Sequence, residues 1–219
     1  EQLGHIGTGG GAINIFATGG VTLDASTGGS AQIGNGSTTT SGATTGDINI
    51  QVANALTLKS AGGNQAWIGN RSVTSETGNV AIVFGSETET NGTTLGQIIY
   101  GDIGETAGQG GNVTIARTDG NALQINTSLD VLSTHNLTVL SKGDIDITSS
   151  VENDGSGNIT LVAGWDGVSI APASIGAAGT YGQGSVPGSV NITATTAAGN
   201  VFLGSESGDT TVYGYDVNV

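Results

Sequence analysis

Short segments with alternating apolar and polar residues recur along the whole chain. Alternation with a period of two is typical of a β-strand that buries one face. Most segments are bounded by Gly, Asn or Asp, which favour tight turns. The pattern therefore predicts strands of about three to five residues separated by turns. Examples lie at residues 48–50, 80–82, 113–115, 145–147, 159–161, 190–192 and 201–203.

One longer block of sequence is repeated. Residues 12–35 read AINIFATGGVTLDASTGGSAQIGN, and residues 47–70 read DINIQVANALTLKSAGGNQAWIGN. The two blocks match at a constant offset of 35 residues, so that Ile13 corresponds to Ile48. Similarity at a fixed offset is the signature of a repeated structural unit.

The spacing of apolar residues is tighter in the second half of the chain. Leu137 and Ile159 are separated by about 22 residues, which is within the range of structural repeats. A longer series keeps nearly the same step throughout: Leu123, Ile145, Val168, Val190 and Val212. This spacing predicts one strand position per coil of about 22 residues.

The repeats predict an all-β fold, a parallel β-solenoid with coils of about 22 residues. Coils in the N-terminal part are longer (35 residues) because polar loops such as residues 37–45 are inserted. Residues 1–219 then form a single solenoid segment, with long coils in 1–112 and short coils in 113–219. Neither end shows a polar cap, which favours a slice of a longer rod or end-to-end stacking. A jelly roll or antiparallel barrel is the competing architecture, and it predicts hairpins and irregular strand lengths.

Composition supports this fold and excludes several functions. The chain has 40 Gly, 2 Pro and no Cys among 219 residues. So much Gly disfavours long helices, and the absence of an every-third-residue period excludes collagen. The absence of Cys excludes disulfides and Cys-based metal sites. With 4 basic and 18 acidic residues, a formal charge of −14, the chain is predicted to bind neither nucleic acid nor an anionic membrane. No apolar run is long enough to insert as a membrane helix.

The segments Ala31–Asn35 and 66–70, which read AQIGN and AWIGN, resemble repeats of the filamentous haemagglutinin-type bacterial exoproteins of the two-partner secretion family. Residues 3–7 (LGHIG) are similar to the tail of a preceding copy, and residues 157–164 (GNITLVAG) to the shorter repeats of the same group. The resemblance implies a right-handed β-helical shaft that is secreted to the bacterial cell surface and serves adhesion, aggregation or display. The Asn-Pro motifs of the family's secretion module do not occur here.

The uncapped ends and the resemblance together indicate partners of the chain. Because the ends lack polar caps, neighbouring copies or flanking coils of the same rod are expected there. The adhesive role that the resemblance implies makes host or cell-surface glycans candidate ligands. Trp67 and Trp165 are the candidate binding residues, because an exposed indole ring stacks on sugars. Alternation places Trp67 on the outward face, at the position of Gln32 in the first block. The alternative interpretation is that both rings lie beneath surface loops.

A catalytic alternative depends on one cluster of charged residues. In the register of the short coils, Lys142 lies next to position 120, near Asp119, while Asp144 and Asp146 flank an inward residue. Acids and a base on adjacent strands are the groups that carbohydrate-active β-helix enzymes use. A solvated face with one weak ion pair explains the same residues. The sequence therefore predicts a non-catalytic protein, with a polysaccharide lyase or hydrolase as the alternative.

No cofactor or metal site is predicted, because His5 and His135 are solitary and no Ca²⁺-binding repeat is present. Asn-x-Ser/Thr motifs are candidate glycosylation sites, and the same residue types also suit turns and outward strand positions. They lie at Asn35, Asn70, Asn91, Asn112, Asn126, Asn136, Asn158 and Asn191.

Overall fold

The computed structural model shows an all-β protein. It describes residues 2–25, 29–37, 39–60, 66–72, 76–90, 111–125, 129–130, 135–148, 150–153, 155–165, 167, 189–192, 203–214 and 216–219. Those residues contain eighteen strands and no helix. No helix in this part of the chain is long and apolar enough to cross a membrane.

The strands are mostly short, as the alternation predicts, and the two longest continue around a corner. Their bounds are β1 Gln2–Leu3, β2 Ile13–Ala17, β3 Val21–Ala25, β4 Ala31–Ile33, β5 Ile48–Ser60, β6 Ala66–Ile68, β7 Val80–Thr90, β8 Val113–Arg117, β9 Leu123–Ile125, β10 Leu129–Asp130, β11 Leu137–Ser141, β12 Ile145–Ile147, β13 Val151–Asn153, β14 Ile159–Ala163, β15 Val190–Ile192, β16 Leu203–Ser205, β17 Thr210–Tyr213 and β18 Val217–Asn218.

The strands form four sheets, and every pairing among the described residues is parallel. The largest sheet has the order β17-β14-β11-β8-β7-β5-β2, with β3 also paired to β5. The smaller sheets have the orders β1-β4-β6, β10-β13-β16 and β18-β15-β12-β9. The parallel pairing fits a solenoid and argues against the hairpins of a jelly roll or antiparallel barrel.

The register confirms the constant offset of the repeated blocks. Ile13 lies opposite Ile48, and Leu23 lies opposite Leu58. The N-terminal strand β1 also pairs with β4, and Leu3 lies opposite Ile33. Matching residues of the two repeated blocks thus occupy the same face of neighbouring strands.

The constant step predicted for residues 113–219 is wrong for several pairs. It holds where Leu137 meets Ile159 and where Leu123 meets Ile145. On its other side, however, Leu137 pairs with Val113 rather than with position 115. Ile145 lies opposite Val190, so that Val168, which lies outside the described residues, is not the partner of Ile145. Val212 pairs with Leu161 rather than with position 190. Loop-closure entropy rises slowly with loop length, so insertions between paired strands are tolerated and disturb a regular period.

The inward apolar residues of all four sheets share one core. Ile48, Ile50, Leu123, Ile145 and Val151 are each 0% exposed. Full burial of such a side chain contributes roughly 1.5–3 kcal/mol.

A second, smaller apolar cluster covers part of the opposite, outward face of the large sheet. It contains Ala116, Leu140, Val162 and Trp165.

Candidate functional site

Asparagine side chains form a ladder at the turn after β4 and β6, here called the buried ladder (Asn35 and Asn70). The backbone N–H of Asn35 donates to Asn70 Oδ1 at 3.0 Å, and that of His5 donates to Asn35 Oδ1 at 2.9 Å. Each amide nitrogen donates to two backbone carbonyls, which for Asn70 are those of Gly46 (2.8 Å) and Thr77 (2.9 Å). Asn35 and Asn70 are almost completely buried. The buried ladder joins the turns to one another and to the segments that lead into β2, β5 and β7.

A second ladder, the exposed ladder, precedes the strands of the large sheet. In each step the side-chain Oδ1 accepts the backbone N–H of the next member, with distances of 2.8–2.9 Å. Its members are Asp47, Asn79, Asn112, Asn136, Asn158 and Asp209. The sequence signal is a Gly before five of the six members, and an apolar-x-apolar strand directly after all of them except Asp209. Alternation alone did not reveal that these turn residues are bonded to one another.

The ladders divide the predicted glycosylation sites into two groups. The amide nitrogens of Asn35 and Asn70 are buried and donate to backbone carbonyls, so that these two candidates are inaccessible in the folded chain. Asn112 and Asn158 are exposed, and their Oδ1 atoms rather than their nitrogens carry the ladder. The remaining motifs divide further: Asn136 and Asn191 are half-buried, whereas Asn91 and Asn126 lie outside the described residues.

Asp119, the first candidate catalytic acid, is held by Arg117. The Arg117 guanidinium donates from Nε to Oδ1 at 2.8 Å and from Nη2 to Oδ2 at 3.0 Å. It also donates from Nη1 to the carbonyl of Ala122 at 2.7 Å, so that it braces the corner between β8 and β9. Burial by itself raises the pKa of Asp119, but hydrogen bonds from Arg117 and Asn121 outweigh it and lower the pKa to about 2. A carboxyl group with so low a pKa is a poor general acid or base at neutral pH.

The other three residues of the predicted cluster make contacts outside it. Lys142 follows Ser141, which pairs with Arg117, and the backbone N–H of Lys142 donates to the carbonyl of Arg117 at 3.1 Å. The Lys142 side chain lies against Gly167. Asp144 Oδ1 accepts the backbone N–H of Ser189 at 2.7 Å.

Asp146 accepts side-chain amides from Gln124 (2.6 Å) and Asn191 (2.8 Å). No hydrogen bond or ion pair in the described part of the chain joins any two of Asp119, Lys142, Asp144 and Asp146. The structure thus uses the three acids as hydrogen-bond acceptors between neighbouring strands and turns.

Trp67 occupies the position predicted for it but is not exposed. It lies opposite Gln32, and its side chain is covered, with 7% of the residue accessible. The Arg71 guanidinium lies 4.1 Å from the centre of the indole ring, a cation–π contact. The expectation of an exposed sugar-stacking ring at Trp67 is therefore wrong, and the covered alternative describes it better.

Trp165 is also covered, with 5% of the residue accessible. Its ring packs in the outer cluster with Leu140 and Val162. Neither predicted binding residue therefore offers a free ring face.

The sequence interpretation missed an apolar depression on the outward face of the large sheet. It has a volume of about 360 Å³ and is open to solvent. Phe16, which is 70% exposed, lines it together with Gln51 and Val83. The signal was present in the alternation of β2, where Phe16 lies between the inward residues Ile15 and Ala17.

The described residues contain no group of three or more His, Cys, Asp or Glu side chains that could hold a metal ion. Comparisons of the chain with protein-family models, with curated proteins and with solved structures give no match. The functional interpretation therefore depends on the geometry of this chain.

Proposed function

We propose that the chain is a structural and adhesive shaft segment of a secreted bacterial cell-surface protein of the filamentous haemagglutinin type. In this proposal the parallel sheets are the faces of a right-handed β-solenoid, and the protein is not an enzyme. The observation that supports it best is the exposed ladder, in which one side-chain contact is repeated from strand to strand across the large sheet. Such repetition is typical of elongated repeat proteins, in which each unit contacts only its neighbours.

The distribution of reactive groups supports a scaffold over an enzyme. Asp119, Asp144 and Asp146 each accept hydrogen bonds from strand or turn neighbours. An enzyme site needs convergent groups around a space for the substrate. Among the described residues, Asp119 and Asp146 accept mainly side-chain donors, and Asp144 accepts a backbone N–H, so that each acid has its own set of structural partners.

Charge and edge strands support the proposed surroundings and partners. A formal charge of −14 favours a well-solvated surface that repels similar surfaces sideways. Among the described strands, β2 and β17 are the outermost of the large sheet, and backbone groups of edge strands pair readily with a further strand. The proposed partners are neighbouring coils or copies at these edges, and cell-surface glycans along the sides.

Surface labelling of the bacterium that produces the chain tests this proposal. Antibodies raised against the folded chain are expected to label intact cells, and immunogold electron microscopy is expected to place the label on surface fibres. Labelling that appears only after permeabilisation would contradict the extracellular shaft.

A second assay tests the catalytic alternative. The purified chain is incubated with neutral and acidic polysaccharides, and reducing ends and unsaturated products are measured. No product is expected. If the chain shows turnover, and folded Lys142→Ala and Asp146→Asn variants lose it, the protein is an enzyme and the shaft proposal is wrong.

A further inference from the structure

Phe16 is an unusual residue on the outward face of the large sheet. Its position in the neighbouring strands is occupied by Gln51, Val83 and Ala116, in that order. Farther along the same row, Leu140 is fully buried in the outer cluster beneath Trp165. The row therefore lies partly in the outer cluster, whereas its member Phe16 is exposed.

The surface beside Phe16 is a shaped depression rather than a flat face. Its floor and sides are formed by three neighbouring strands and by the corner where β5 shifts register between Val52 and Ala55. Its lining residues are Phe16, Ala17, Thr18, Gln51, Val52, Ala53, Val83 and Thr118. The volume of about 360 Å³ falls at the lower end of the range of roughly 300–1,000 Å³ for small-molecule sites.

The lining of the depression is uncharged throughout. None of its residues is charged, although the chain as a whole carries a formal charge of −14. Most of the lining is apolar, with an exposed phenyl ring from Phe16. Polar groups are the exposed amide of Gln51 and the hydroxyls of Thr18 and Thr118. The Thr118 hydroxyl donates to the carbonyl of Phe84 at 3.1 Å, so its oxygen is left to accept.

A neutral sugar ring matches this combination of groups. One face of a pyranose presents C–H groups that pack on an aromatic ring, while its hydroxyls need an amide or hydroxyl partner at the rim. A charged ligand would find no counter-ion among the lining residues, and a purely apolar ligand would leave the Gln51 amide without a use. We propose that this depression binds a neutral hexose unit of a glycan, with the ring stacked on Phe16 and its hydroxyls bonded to Gln51 and a threonine.

This inference deepens the adhesive part of the proposed function and rests on it only for the biological source of the glycan. It also moves the sugar-binding residue from the covered Trp67 and Trp165 to Phe16. The site itself is tested on the purified chain, whereas the shaft is tested on cells, so that one proposal can fail without the other.

Saturation-transfer NMR with methyl β-glucoside, methyl β-galactoside and methyl α-mannoside provides the test. At least one of the three is expected to receive saturation on the C–H face of its ring. Phe16→Ala is expected to weaken binding at least tenfold, Phe16→Leu to weaken it similarly because the flat ring is lost, and Phe16→Trp to retain it. Gln51→Ala is expected to weaken binding several-fold.

The control is Ile6→Ala, which removes another apolar residue that is 78% exposed and does not line the depression. Its binding is expected to equal that of the parent chain, and melting curves establish that all variants fold. Lack of transfer to all three sugars overturns the proposal. Saturation transfer that persists in Phe16→Ala also overturns it. Binding of indole without binding of any sugar overturns it as well, because it indicates a site for aromatic groups.

Discussion

Replacement of Asn70 by alanine removes three hydrogen bonds from the buried ladder. Two are donated by Nδ2 to the carbonyls of Gly46 and Thr77, and one is accepted by Oδ1 from the backbone N–H of Asn35. A neutral hydrogen bond contributes about 1 kcal/mol, and a buried group left without its partner costs about 1–3 kcal/mol. Asn35 is buried, whereas Thr77 is exposed and its carbonyl can bond to water. The expected loss of unfolding free energy is therefore about 3 kcal/mol.

The matched control is Asn136→Ala in the exposed ladder. This change removes one acceptor, for the backbone N–H of Asn158, at a half-buried position. Water replaces much of the lost bond, so about 1 kcal/mol is expected. Urea unfolding followed by tryptophan fluorescence suits both variants, because Trp67 and Trp165 are covered in the folded chain.

Two outcomes would refute this reasoning. One is a loss of less than about 0.5 kcal/mol for Asn70→Ala at an unchanged denaturant slope. The other is an equal loss for the two asparagine variants, which would show that burial and the two amide donations add nothing.

Other properties of the chain can be tested in the same way. Because the pKa of Asp119 is lowered from 3.8 to about 2, its ion pair stabilises the fold above about pH 4 and is lost as the pH falls toward 2. The parent chain should therefore lose unfolding free energy between about pH 4 and pH 2, and Asp119→Asn should reduce that loss by about 1 kcal/mol after solvent screening. Urea unfolding at each pH measures both. Gly34→Ala should lower the melting temperature sharply, since a Cβ there would overlap the carbonyl of the next turn, whereas Gly11→Ala, with open space around it, should change it little. If native material is glycosylated, peptide mapping should place sugars on Asn158 and not on Asn35; a modified Asn35 would contradict the buried ladder.

The part of the fold predicted best is the part where the sequence repeats itself. Ile13 and Ile48 are identical, as are Leu23 and Leu58, so that a single offset satisfies every contact between these strands. In the second half the apolar-x-apolar unit is too common to mark a unique partner. Val190 pairs directly with Ile145. The apolar residue at position 168 lies between them in the sequence, and the regular spacing therefore indicates a partner for Ile145 that the observed register does not use.

The candidate site was predicted less well, because alternation shows to which face of the sheet a side chain points but not whether other residues cover it. Trp67 and Phe16 both occupy outward positions, yet Arg71 stacks over one ring while the other remains exposed. Arg117 was missed because it ends its strand in register with the inward Phe84, where alternation expects an apolar residue. Its charge is paired there with Asp119, which lies in the turn after the strand, where the alternating pattern no longer applies.

The exposed ladder has a consequence for how such a chain can evolve. Each member uses its own side chain to hold the backbone of the next one, and the motif that does so spans only a Gly, an Asn or Asp, and the start of a strand. A duplicated segment that carries this motif brings with it both the acceptor for the following strand and the donor for the preceding one. The length of the molecule can therefore grow or shrink by whole segments, and the two near-identical blocks of residues 12–35 and 47–70 look like the product of such an event.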